Sequence, residues 1–264
     1  MSINPFKGQA PIPGIQKIVV VGSGKGGVGK STISANLAAA LAKKGQKVGL
    51  LDADIYGPSI PRLFGAINQP PPLNADKKIE PLIRNGLKIM SMGFLVDEGS
   101  AIVWRGPMLF KAIEQLLKDV VWGELDYLII DLPPGTGDVV LTVAQKVPIT
   151  GAVVVCTPQN LALVDARKAL DMFDQIHVPT LGVVENMAYF KSSTDSEPIA
   201  LFPKGDLDSY LDAKRIKKLA QIPFYPQIGM TSEAGMPLVI SAPQSEETKI
   251  FLDLADTVMQ ECNG

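Results

Sequence analysis

The chain has 264 residues, 46% of them apolar and 20% charged, with 25 basic against 27 acidic side chains. That composition supports a sizeable core and excludes intrinsic disorder, and a formal net charge of −2 gives no electrostatic ground for a nucleic-acid partner. The longest clean apolar stretches, at 18–21 and 152–156, are strand-sized, so no stable membrane insertion is expected.

Residues 1–14 read as an irregular lead-in with no apolar stretch of signal-peptide length, which points to the cytoplasm. Beyond them, β-branched runs alternate with amphipathic ones. Strands are expected at 17–21, 47–51, 87–91, 127–130, 151–156 and 180–184, with a short one near 222–224; helices are expected at 30–44, 107–121, 139–146, 161–175, 207–220 and 244–260. Several strands are continuous apolar runs, the pattern of a parallel sheet covered on both faces. The expected architecture is α/β: one doubly wound domain over residues 1–264, with a mostly parallel sheet and helices on both faces. The stretches 66–85, with Pro70-Pro71-Pro72, and 191–206 read as loops.

Two glycine motifs overlap after the first strand. Gly22-x-Gly24-x-x-Gly27 fits a dinucleotide fingerprint, and Gly24-x-x-x-x-Gly29-Lys30-Ser31 fits a phosphate loop, a pattern about ten times rarer by chance. A dinucleotide pyrophosphate has no use for a lysine–hydroxyl pair. A triphosphate with Mg²⁺ does: backbone N–H groups cradle the phosphates, Lys30 neutralises β/γ charge, the Ser31 hydroxyl ligates the metal and Thr32 donates to the α-phosphate. Asp52-Ala53-Asp54 and the stretch from Asp131 to Asp138 follow strands whose carboxyl ends share an edge with that loop in a parallel sheet. An acid there can hold Mg²⁺ or orient the attacking water. Any one such aspartate can also be a turn or helix cap; three beside a phosphate loop read as an NTPase site. Lys25 lies inside the loop with its side chain expected to project outward, either simply solvated or reaching a phosphate bound by a second subunit.

At Lys25-Gly26-Gly27-Val28-Gly29-Lys30-Ser31-Thr32 the sequence resembles the MinD/ParA-like ATPases with a deviant Walker A loop. Asp52-Ala53-Asp54-Ile55-Tyr56-Gly57-Pro58-Ser59-Ile60-Pro61, Trp104-Arg105-Gly106-Pro107-Met108, Thr157-Pro158-Gln159 and Val184-Glu185-Asn186-Met187 narrow the likeness to the Mrp/ApbC family of iron–sulfur cluster carrier ATPases, over about residues 10–260. The resemblance implies a MinD-like P-loop NTPase fold, a homodimer, ATP and Mg²⁺ as ligands, a 4Fe–4S cargo, and iron–sulfur scaffold or apo-client proteins as partners. It implies nucleotide contacts from Gly24 through Thr32 and catalytic roles for Lys25, acting across an ATP-sandwich dimer, Lys30 and Asp54. Ser31, Asp54 and Asp131 would serve Mg²⁺; Asn186 would read adenine, and the backbone near Pro223 and Phe224 would line the same pocket.

One departure stands out. Cluster-carrying members place a C-x-x-C after the segment matching 186–190, where this chain reads Lys191-Ser192-Ser193-Thr194-Asp195-Ser196. Serine is harder and far less acidic than cysteine and a poor iron ligand. Of the two cysteines, Cys156 reads as a small buried hydrophobe, and Cys262 would supply only two ligands to a dimer that needs four. His177, the single histidine, sits in a turn without ligand-spaced neighbours. The last helix presents Ile250, Phe251, Leu254, Val258 and Met259 on one face and acids on the other, a core-packing pattern rather than an anionic-lipid one. The expected function is a Mg-dependent ATPase of the Mrp/ApbC type in iron–sulfur cluster assembly or transfer. The alternative is a MinD/ParA-like ATP-driven dimerisation switch acting on a protein or membrane partner without carrying a cluster. A kinase- or ligase-like P-loop enzyme would need a second substrate pocket, which no motif supplies.

Overall fold

The computed structural model of the chain describes residues 8–95, 106–135, 137–190, 198–203 and 205–264. In chain order its elements are β1 (Ile15–Gly22), α1 (Lys30–Lys43), β2 (Val48–Asp52), α2 (Ile60–Leu63), β3 (Leu82–Arg84), β4 (Leu87–Ser91), α3 (Gly106–Lys118), β5 (Leu125–Asp131), α4 (Asp138–Lys146), β6 (Gly151–Cys156), α5 (Asn160–Gln175), β7 (Thr180–Asn186), α6 (Leu207–Lys214), β8 (Lys218–Ile222), α7 (Pro226–Glu233), α8 (Leu238–Ser241) and α9 (Glu246–Glu261). The strands form one sheet in the order β3-β4-β2-β5-β1-β6-β7-β8, parallel throughout except for β3 at one edge.

Alternate residues of the central strands feed two separate cores. Val20, Leu51 and Ile130 face α3, α4, α5 and α6, whereas Val19, Leu50 and Ile129 face α1, α8 and α9. Burial on both faces is why these strands read as unbroken apolar runs. The expected α/β architecture is the one observed. Helix α9 buries Phe251, Leu254, Ala255 and Val258 against α1 and β8, so its apolar stripe is core. No helix among the described residues is long and apolar enough to cross a membrane.

The structure corrects one stretch. The helix expected over 207–220 stops at Lys214, because Arg215 adopts left-handed backbone (φ 56°) and closes it. Residues 218–222 then form the edge strand β8, parallel to β7, with Leu219 and Ile222 in the α1-side core. The strand expected near 222–224 therefore lies upstream of that position. A run of lysines and alanines carries good helix propensity, but the apolar pair on one face binds the sheet and tertiary packing wins. The short elements β3, α2, α7 and α8 had no counterpart in the sequence reading.

Candidate functional site

Because β1, β2 and β5 run parallel, their carboxyl ends meet at one edge, where the loop 23–29 leaves β1 and enters α1. Gly29 makes that entry in the left-handed region (φ 83°), and no side chain caps α1, so the helix's first N–H groups remain open to an anion. Gly24 is required for a different reason: a Cβ there would lie 1.9 Å from the Asp165 carbonyl oxygen of α5. Ser23 Oγ donates to the Lys25 carbonyl at 2.9 Å, and the Gly135 N–H donates to the Ser23 carbonyl at 2.8 Å. The loop is thus fastened to the segment that follows β5.

Asp131, at the end of β5, is completely buried, and its carboxylate is matched from three directions. Lys30 Nζ lies 2.9 Å from Oδ1, Ser31 Oγ donates to Oδ2 at 2.5 Å, and Ser34 Oγ donates to Oδ1 at 2.7 Å. Lys30 also reaches Ser31 Oγ at 3.2 Å and lies 4.0 Å from Asp54 Oδ2. A buried carboxylate is tolerable only with such partners.

Asp52 is Asp131's neighbour across the β2/β5 register. Burial, and secondarily the Asp131 charge, push its carboxyl up to about 7. It accepts the N–H groups of Asp54 (3.0 Å) and Ile60 (3.1 Å) and the Ser91 hydroxyl (3.0 Å). Those bonds shape the turn that carries Asp54. Burial raises the Asp54 carboxyl as well, and its Oδ1 accepts the Gly57 N–H at 3.3 Å.

A cleft of about 260 Å³ lies over the loop, walled by Lys25, Lys30, Ser31, Thr32, Asp54 and Gly57. Gly26, Gly27 and Gly29 line it too, so most of the sequence-predicted phosphate residues converge on one cavity. The Lys25 ammonium makes no hydrogen bond or ion pair among the described residues. Asn186 ends β7 and donates its side-chain amide to the Val28 carbonyl at 2.8 Å. Pro223 and Phe224 follow β8 beside it, and the Phe224 N–H donates to the Tyr189 carbonyl at 2.7 Å. Trp104 and Arg105 lie outside the described residues, as do the serines at 192, 193 and 196; Gly106 and Pro107 begin α3.

Sequence reasoning missed Ser34 and the organising part of Asp52. The first was findable: Ser34 stands four residues after Lys30, on the same face of α1. The second needed the fold, because Ser91 comes from β4, far along the chain.

The donor set offered by Ser31, Asp54 and Asp131 is all oxygen, which suits Mg²⁺, an ion held by one or two carboxylates together with phosphate oxygens. An iron–sulfur cluster is another matter. Cys156 is 2% exposed at the carboxyl end of β6, with its thiol pushed up to about 12 by burial and then by Glu185, so it is no thiolate. Cys262 lies at the other edge of the sheet, where the Lys17 ammonium near the start of β1 donates to its carbonyl at 3.0 Å. Burial raises its thiol as well. No group of three or more metal-ligating side chains occurs among the described residues. Two thiols at opposite edges cannot share a cluster within the chain, so these residues do not fit a 4Fe–4S group.

The chain matches the ParA family model, described as NUBPL iron-transfer P-loop NTPase, over residues 14–259. It is 49% identical over 257 residues to the iron-sulfur cluster carrier protein of Aquifex aeolicus, covering 97% of this chain and 71% of that protein. A nucleotide-binding protein from Archaeoglobus fulgidus, solved in complex with ADP, is 40% identical with a TM-score of 0.76, covering 90% of this chain and 92% of the other. The cell division ATPase MinD of Pyrococcus furiosus shares the fold at 23% identity and a TM-score of 0.67, with coverage of 92% and 98%.

Proposed function

Since this chain belongs to the NUBPL iron-transfer P-loop NTPase family of ParA, we propose that it binds and hydrolyses Mg-ATP as a homodimer and acts in iron–sulfur cluster assembly or transfer. The observation that carries the ATPase reading is the convergence of Lys30, Ser31 and Asp131 beneath the glycine loop, with Asp54 at 4.0 Å from Lys30. The ADP-bound Archaeoglobus relative, at 40% identity, supports it.

In this mechanism water attacks the γ-phosphate in line, and catalysis is positioning and charge neutralisation. Loop N–H groups and Lys30 hold the phosphates; Thr32 donates to the α-phosphate. Ser31, Asp54 and Asp131 would hold Mg²⁺, which when bound neutralises charge on the phosphate oxygens. Asp54 orients the attacking water, its turn kept in shape by Asp52. Lys25, whose ammonium has no partner among the described residues, reaches the nucleotide of the partner subunit and stabilises developing charge. Asn186 reads the base, with the backbone at Pro223 and Phe224 beside it.

The placement of the two thiols favours a second reading of the cargo step: the protein works on iron–sulfur partners as a nucleotide-driven switch, and the cluster is held by thiolates of those partners. No transfer step is assigned to this chain's own cysteines.

Phosphate release from Mg-ATP tests the enzyme. Lys30→Ala and Lys25→Ala are each expected to lose activity by at least about 100-fold. Their equimolar mixture is expected to regain about a quarter of wild-type activity, because about half of the dimers then pair the two variants and each of those has one site with an intact Lys30 from one subunit and an intact Lys25 from the other. A mixture as inactive as its components, or a Lys25→Ala protein that turns over like wild type, would reject the cross-subunit role.

A further inference from the structure

Asn186 is buried (7% exposed) at the carboxyl end of β7, yet its side chain does not wait in solvent for a ligand. Its amide donates at 2.8 Å to the carbonyl of Val28, itself 2% exposed and 158 residues away in sequence. The packing is tight as well: a Cβ on Gly29 would lie 2.3 Å from Asn186 Nδ2. Asn186 is itself held firmly, since its backbone pairs with Ile222 of β8.

The consequence follows from peptide geometry. The Val28 carbonyl and the Gly29 N–H belong to one peptide unit, and every described peptide bond is trans. In a planar trans unit the C=O and N–H point in opposite directions. Fixing the carbonyl outward on Asn186 therefore turns the Gly29 N–H inward, towards the cleft that Gly29 lines with Lys30 and Ser31. No acceptor among the described residues takes that N–H. It stands at the uncapped start of α1, where the helix dipole also favours an anion.

We infer that Asn186 is a positioning residue for the phosphate loop: by holding the Val28 carbonyl it aims the Gly29 N–H at a phosphate oxygen, whether or not a base is bound. The inference rests on the nucleotide reading above and goes beyond it. One N–H of the amide is spent on the loop, which leaves the second N–H and the oxygen for a base edge. A single side chain then ties the two ends of the nucleotide together, so that loop geometry and base binding are linked.

The test uses a ligand with phosphates and no base. Calorimetric titration of the full chain with Mg-pyrophosphate and with Mg-ADP is compared for wild type, Asn186→Leu (similar shape, no donor) and Asn186→Ala. Pyrophosphate affinity is expected to fall roughly tenfold in both variants, the size of effect that follows from leaving a buried carbonyl unpaired and one phosphate donor misaligned. In glycine-labelled protein the Gly29 amide proton is expected to move downfield when pyrophosphate binds wild type, and to move far less in the variants. A residue that only reads the base, or only stabilises the fold, would leave pyrophosphate affinity within twofold and the Gly29 shift intact; that result overturns the inference while ADP binding keeps the nucleotide reading standing. Wild-type protein that binds neither ligand brings down both. Cooperative melting of at least one variant is the check that the folded protein is being titrated.

Discussion

The carboxyl edge of the sheet divides into two halves that handle buried polar groups in opposite ways. In the half built by β1, β5, β2 and β4, Lys30, Ser31 and Ser34 all meet the Asp131 carboxylate, so Asp131 keeps two donors when one of them is drawn to a ligand. In the half built by β6, β7 and β8, the Cys156 thiol is held protonated by burial. Glu185 is locked by Lys218 at 2.9 Å and Gln221 at 2.7 Å. The first half has exchangeable partners and the second has fixed ones, because ligand chemistry needs groups that lose little when they change hands. The second half contributes chiefly by bracing the first, through Asn186 on the phosphate loop.

That contrast can be broken at three places. Ser34→Ala removes one of the three donors on Asp131, and with it a bond to the Lys30 carbonyl at 3.1 Å, while leaving every side chain placed on the nucleotide or metal in the sequence. It is expected to lower kcat/KM for Mg-ATP about tenfold, a loss of roughly one buried charged hydrogen bond. Wild-type turnover in steady-state assays of the variant would show that Lys30 and Ser31 suffice to hold Asp131.

Asp52 tests whether the exchangeable half is bought at the expense of stability. Its carboxyl ordinarily titrates near 3.8 and in the fold near 7, so between those values the native state keeps a proton that the unfolded chain has released. Stability from this group is therefore full below about pH 4 and falls by about 1.4 kcal/mol per pH unit towards pH 7. Asp52→Asn removes that slope. Between about pH 5 and about pH 8, the stability difference measured by urea unfolding is expected to shift in the variant's favour by about 3 kcal/mol. A difference independent of pH would mean that Asp52 is ionised in the fold throughout.

The smallest expected effect concerns the thiols. Anaerobic incubation with ferrous iron and sulfide, followed by desalting, is expected to leave well under about one iron per chain, against the four per cluster of a 4Fe–4S site. Cys262→Ser is expected to look identical. A stable thiolate-to-iron absorbance that disappears in Cys262→Ser would show that two copies bring their carboxyl-terminal cysteines together around iron.

The sequence alone picked out the residues that the fold brings together at the glycine loop. Lys30, Ser31, Asp54 and Asp131 were legible because the loop is contiguous and because an acid at the end of an apolar strand must, in a parallel sheet, emerge beside it. The absence of a C-x-x-C was legible for the same reason: both cysteines could be counted, and their spacing read directly. What only the tertiary structure decided were the partners contributed by distant segments. Ser91 on Asp52, Asn186 on Val28 and the close approach of α5 to Gly24 each join residues far apart in the chain. The same holds for the end of the helix at Lys214, where packing of Leu219 and Ile222 against the sheet overrode local helix propensity. Local spacing encodes which groups a loop or strand end carries. Which of them are buried, paired and aimed depends on side-chain contacts that have no local period to reveal them.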